Sequence, residues 1–123
     1  MTFFMKEELG SSERWFKTLM EGAVEEIEEW VERSGQYLEW RQPPMENTAL
    51  SAIIKDRNDE AREIIELLLK NKANPNAVDK MGQSAIFYSV AFNSVDLCRI
   101  LLKDPSTDLE IIDDFGQNVL EYA

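Results

Sequence analysis

The sequence predicts an all-α fold, a solenoid of stacked helix-turn-helix units with hairpin loops. Three observations predict it. Asp79-Lys80-Met81-Gly82-Gln83-Ser84-Ala85-Ile86-Phe87-Tyr88 returns 34 residues later as Asp113-Asp114-Phe115-Gly116-Gln117-Asn118-Val119-Leu120-Glu121-Tyr122, and a period in the low thirties marks helical repeat arrays. Leu67-Leu68-Leu69-Lys70 returns as Ile100-Leu101-Leu102-Lys103. Short apolar runs at helical spacing come in pairs, divided by tight turns rich in Gly, Pro and Asn.

The elements follow in order. Ser11 or Ser12 can cap a first helix near Glu13 that carries Trp15, Phe16, Leu19 and Met20 and stops at Gly22. A second helix spans 24–33. Val24, Ile27, Trp30 and Val31 form one face, Glu25, Glu26, Glu28, Glu29 and Glu32 the other, and Ser34-Gly35 ends it. Pro43-Pro44 forces the segment from Gln36 to Met45 to be extended or turned. A third helix opens at Asn47-Thr48 and runs to about Lys55. Arg57-Asn58-Asp59-Glu60 connects it to a fourth at 61–71, and Asn74-Pro75-Asn76 is turn chemistry. The pattern then recurs: a helix over 84–92, a break at Asn93-Ser94, a helix over 95–103, turns at Asp104-Pro105-Ser106 and 113–116, and a last helix from Asn118. Ile86 and Leu120 fall at equivalent positions and are both expected in the core.

At this point the chain resembles the ankyrin repeat family. That pattern opens with Asp-x-x-Gly-x-Thr-Pro-Leu-His, and Asp79 to Phe87 fills the opening. It closes with Leu-Leu and then Gly-Ala-Asp-x-Asn, which Leu68-Leu69 and Ala73-Asn74-Pro75-Asn76-Ala77 fill. Trp15 to Gly22 with Val24 to Val31 looks like the degenerate first repeat that caps such arrays. The resemblance implies an N-terminal extension (1–11), a capping repeat (12–45), two full repeats (46–78 and 79–112) and the start of a further, incomplete repeat (113–123). The departures are specific. Every Thr-Pro-Leu-His is altered and no His remains, so the hydrogen bonds by which Thr and His knit the family's repeats must be weaker or different here. Asn93 replaces the inter-helix Gly, and Glu46 stands where a turn Gly would sit, so the first hairpin is expected to be distorted.

Composition limits the function. Of 123 residues, 44% are hydrophobic and 30% charged, and the formal net charge is −11. That balance argues against nucleic-acid and anionic-membrane surfaces, which need clustered Lys and Arg, and favours a partner with a basic surface. With no His and one Cys, Cys98, a zinc site, a disulfide within the chain and a His-dependent triad are all excluded. Asp56-x-Asn58-x-Glu60 fails as a calcium loop, because Ala61 and Leu67 stand where Gly and Glu are required. No apolar run is long enough for a membrane span, and no signal peptide is expected of Met1 to Glu8, which is too short in apolar run and too acidic. The chain is expected to be intracellular, in the cytoplasm, with no enzyme activity and no cofactor.

Repeat arrays serve as extended binding surfaces. The resemblance puts contacts at hairpin tips and on the concave face of the first helices. Position by position, it selects Asn47 and Lys55 in the first full repeat, Lys80, Met81, Gln83, Tyr88 and Phe92 in the second, and Asp114, Phe115 and Gln117 in the last. Ala52, Asp56 and Ala91 lie among them. The expected function is protein–protein interaction, as an adaptor or scaffold. The alternatives are a regulatory or targeting segment of a larger enzyme, or an acidic inhibitor in a basic groove. The last helix has no partner helix or polar cap, so self-association through it is a further expectation.

Overall fold

The computed structural model describes residues 11–33, 35–56 and 59–122. The expected extension before residue 11, the stop at Ser34, the Arg57-Asn58 part of the connection and Ala123 lie outside these residues. Among them are seven α-helices and no strand: α1 (Ser11–Glu21), α2 (Val24–Arg33), α3 (Ala49–Asp56), α4 (Ala61–Lys70), α5 (Ala85–Ala91), α6 (Val95–Lys103) and α7 (Val119–Tyr122). A 3-10 turn at Gly35–Glu39 follows α2, so the segment before the two prolines is partly helical. Ser12 lies inside α1 and is not its cap.

The helices form two layers. One stacks α1, α3, α5 and α7 in order; the other stacks α2, α4 and α6, and each even helix also packs on the odd helix before it. Periodicity explains which face turns inward. In α2, Ile27 and Val31 are buried, while all five glutamates are exposed. In α4, Ile64, Ile65 and Leu68 are fully buried, each contributing about 1.5–3 kcal/mol of apolar transfer. Tight turns join the pairs. Asn93 (φ 55°) takes the left-handed conformation expected of it, and Lys72 (φ 74°) takes it where the sequence gives no such signal.

The first pair is sealed by aromatic rings. Trp15 lies 6.0 Å from Trp30, Trp30 meets Tyr37 edge-on at 5.3 Å, and Phe16 meets Trp40 edge-on at 5.0 Å between ring centroids. Such pairs add to the area they bury. The opposite end differs: Val95, Leu102, Ile112, Phe115 and Leu120 are exposed, Leu120 at 72%. Leu120 is therefore not core. Its counterpart Ile86 is 3% exposed because a following unit lies over it.

Candidate protein-binding surface

Three hairpins set out the surface. In the second, Asp79 N–H donates to the Gln83 carbonyl (3.0 Å) and Gly82 N–H to the Asp79 carbonyl (3.0 Å). The third repeats this with Asp113, Gln117 and Gly116. Each Asp carboxylate ties its own turn. Asp79 Oδ1 accepts the N–H of Met81 and Gln83 at 2.8 and 3.1 Å, and Asp113 Oδ1 those of Phe115 and Gln117, both at 3.0 Å. Short polar side chains favour such turns. The first hairpin is distorted as expected. It closes between Gln42 and Asn47 with one more residue, and Glu46 sits at φ 61°.

Backbone rungs stack the hairpins. Lys80 N–H donates to the Met45 carbonyl and Asp114 N–H to the Met81 carbonyl, both at 2.9 Å. Met45, Met81 and Phe115 are thereby set in one row. Phe115 is 65% exposed, and the two methionines are half-buried. Met45 was not among the residues selected from the sequence; its place 36 residues before Met81 is the signal that could have found it.

Side chains tie the same junctions. Asp79 Oδ2 accepts the Tyr88 hydroxyl and, at 3.4 Å, the Asn47 amide. Asn47 Oδ1 in turn accepts Lys55 Nζ at 3.2 Å, and that ammonium lies 5.3 Å from the centre of the Tyr88 ring. At the next junction, Gln83 Nε2 donates to Asp113 Oδ2 at 2.9 Å. The Gln83 amide, then the Gln117 and Phe115 N–H groups, hold the Asp113 carboxyl below the usual carboxylate range, against the opposing effect of burial. Acid–amide and acid–phenol bonds thus do the knitting that the sequence required to be different.

The altered Thr-Pro-Leu-His positions find three separate solutions. Thr48 and Ser51 pair their hydroxyls at 3.3 Å. Asn118 and Glu121 form a reciprocal capping box, each side chain accepting the other's backbone N–H at 3.0 Å. Between them, Ser84 has Phe87 where the family carries His, and its buried hydroxyl has no hydrogen-bond partner among the described residues.

These facts sort the selected residues. Asn47, Gln83 and Tyr88 are buried, at 6%, 5% and 9% exposure. Their side chains bond Asp79, Lys55 and Asp113 within the array. Ala52 is buried as well. Lys55, Lys80, Asp114 and Phe115 are exposed, and Met81, Phe92 and Gln117 are half-buried. The structure brings Lys55, Asn47 and Tyr88 into one network around Asp79. Asp79 and Asp113 do more than turn their hairpins: their Oδ2 atoms bond Tyr88 nine residues on and Asn47 32 residues back, and Gln83 30 residues back.

Comparison with known proteins agrees. The family model for ankyrin repeats, in three copies, matches residues 19–123, and the chain belongs to that family. Ankyrin repeats generally mediate protein–protein interaction, and domains built of them are typically non-catalytic binding modules. The chain is similar to the ankyrin repeat domain of Bcl-3, described as a unique member of the IkappaB protein family. The TM-score is 0.73 at 23% identity, over 89% of this chain and 49% of that one. The chain thus spans about half the length of that domain. It is also similar to a chain in the crystal structure of the yeast ribosomal protein Rps3 in complex with its chaperone Yar1. There the TM-score is 0.70 at 19% identity, over 89% of this chain and 80% of that one. Identities this low show the fold alone. No curated protein matches by sequence. No helix of the described residues is long and apolar enough to cross a membrane.

Proposed function

We propose that the chain is a non-catalytic adaptor or scaffold that holds a partner protein against its hairpin tips and the adjoining ends of the first helices. The observation that carries this is the row of Met45, Met81 and Phe115, fixed by two backbone rungs and ending in an aromatic ring that is 65% exposed. Flexible thioethers suit an adaptable contact, and an apolar row that ends in an exposed ring suits an interaction surface. Lys80, Met81, Asp114 and Phe115 form the contact set, flanked by Lys55, Phe92 and Gln117. Asn47, Gln83 and Tyr88 act behind it by fixing the hairpins and Lys55. The working units are a cap over 12–45, repeats over 46–78 and 79–112, and the opening of another from 113.

The net charge of −11 favours a partner with a basic surface, inside the cell, whose association weakens as salt rises. The test is affinity capture with wild type and with a Met81→Lys/Phe115→Lys double variant. The variant is expected to fold normally and to lose the wild-type partner. Equal recovery of that partner by both overturns the hairpin-tip reading.

A further inference from the structure

We propose that Lys55 is the point at which the array takes an acidic side chain of its partner, a single Asp or Glu flanked by apolar residues. The inference deepens the hairpin-tip reading and rests on it for the apolar half of the contact. The chain has 24 acidic and 13 basic residues, and Lys55 is exposed near the end of α3. Yet among the described residues no carboxylate lies within 4.0 Å of its Nζ. Its contacts are neutral: the Asn47 Oδ1 atom at 3.2 Å and the Tyr88 ring, centred 5.3 Å away.

Both contacts are fixed from behind. Asn47 Nδ2 donates to Asp79 Oδ2 and to the Tyr88 hydroxyl, both at 3.4 Å, and that hydroxyl donates to the same Oδ2. The Asn47 amide is thereby turned so that its oxygen faces Lys55. Asn47, Asp79 and Tyr88 are all buried, so three buried side chains hold one exposed ammonium. A long side chain loses rotamer freedom when it pairs, and here part of that loss is incurred on folding. An ammonium has three N–H donors, of which Asn47 takes one. The ring attracts the charge without neutralising it. Lys55 therefore keeps both charge and donors for an acceptor arriving from solvent.

The surroundings define what arrives. Asp79 fixes Asn47 and Tyr88 through Oδ2 and accepts the Met81 N–H through Oδ1. One side chain thus sets the cation and the apolar row in a common frame. The helix that supplies the ring, α5, carries no charged residue, and Val90, Ala91 and Phe92 at its end are half-buried or exposed. A lone ammonium on apolar ground suits one carboxylate. A phosphate is better met by an Arg fork, and the net charge of −11 opposes a dianion. The partner is therefore basic over its surface and acidic at one residue. Long-range steering and local pairing then select with opposite sign, and a protein that is merely basic lacks the anchor.

The probe is a phage-displayed library of short random peptides, selected on the full chain. Enriched peptides are then made synthetically and titrated by fluorescence anisotropy. They are expected to be basic overall and to share one Asp or Glu beside apolar residues. Lys55→Glu in the chain should weaken their binding at least roughly tenfold, because like charges then face each other. Changing the peptide's acid to Lys should weaken binding to wild type equally and restore binding to the Lys55→Glu chain. A misfolded chain or a merely structural lysine would show no such rescue. Enriched peptides without a shared acid, equal binding by the Lys55→Glu chain, or no enrichment at all overturns the proposal. The Met81→Lys/Phe115→Lys variant separates the two readings. If it binds as wild type while the charge exchange holds, the hairpin-tip reading fails and the Lys55 pairing stands. If it abolishes binding that Lys55→Glu leaves intact, the pairing fails alone.

Discussion

Two successive junctions share a backbone rung and an amide-to-Asp bond and differ in what surrounds them. The first gathers Asn47, Lys55, Asp79 and Tyr88 into a network, while the second rests on a single bond from Gln83 to Asp113. The rung belongs to the main chain and survives sequence change. The side-chain ties are where this chain departs from its family, and they are rebuilt from whatever polar groups the hairpins present.

The largest test removes the core that both junctions share. Leu101 is fully buried, so Leu101→Asp loses apolar transfer and buries a carboxylate, together costing more than about 5 kcal/mol. Small domains have little more stability than that, and far-UV circular dichroism is expected to show an unfolded chain. A native spectrum would refute the core assignment. Next, Asp79→Ala leaves Asn47, Tyr88 and two backbone N–H groups without their acceptor. A loss of about 2–4 kcal/mol in urea unfolding is expected. Asp113→Ala, with one side-chain tie, should shift the midpoint less; an equal or larger shift would break the contrast between the junctions. Third, Ser84→Ala removes a buried hydroxyl that has no partner among the described residues, and a gain of about 1 kcal/mol is expected. A loss would mean that the hydroxyl is satisfied in solution.

The smallest effect is a pH dependence at the second junction. The Asp113 carboxyl is held low in the folded chain. Its contribution is therefore complete above the ordinary carboxylate pKa of about 4 and is lost as pH falls through the lower, folded value. Melting curves from pH 6 to pH 2 should fall less steeply for Asp113→Asn than for wild type. Parallel curves would remove this linkage.

Local pattern made most of the fold legible. The helices expected over 24–33 and 95–103 are found there, and those expected over 61–71 and 84–92 end within a residue of the observed ones. Apolar spacing and turn residues act over a few positions, which is the range of sequence pattern. The surface was less legible because its ties are long-range. Nothing near Gln83 marks it as a donor to Asp113, 30 residues on, and nothing near Leu120 marks it as exposed where Ile86 is buried. Gly35–Glu39 turned helical beside prolines that argued otherwise, because 3-10 turns need only a few residues.

Between successive connecting loops, Asn76 acts as a clasp. Its Nδ2 donates to the Ser106 carbonyl and its Oδ1 accepts the Asp108 N–H, both at 2.7 Å. An amide is the side chain that can do both at once, since a carboxylate accepts but does not donate. Hydrolytic ageing of that amide to an acid would keep one half of the clasp and set the other oxygen against a carbonyl. The tie between these adjacent loops thus depends on the Asn76 amide and on no residue of the core.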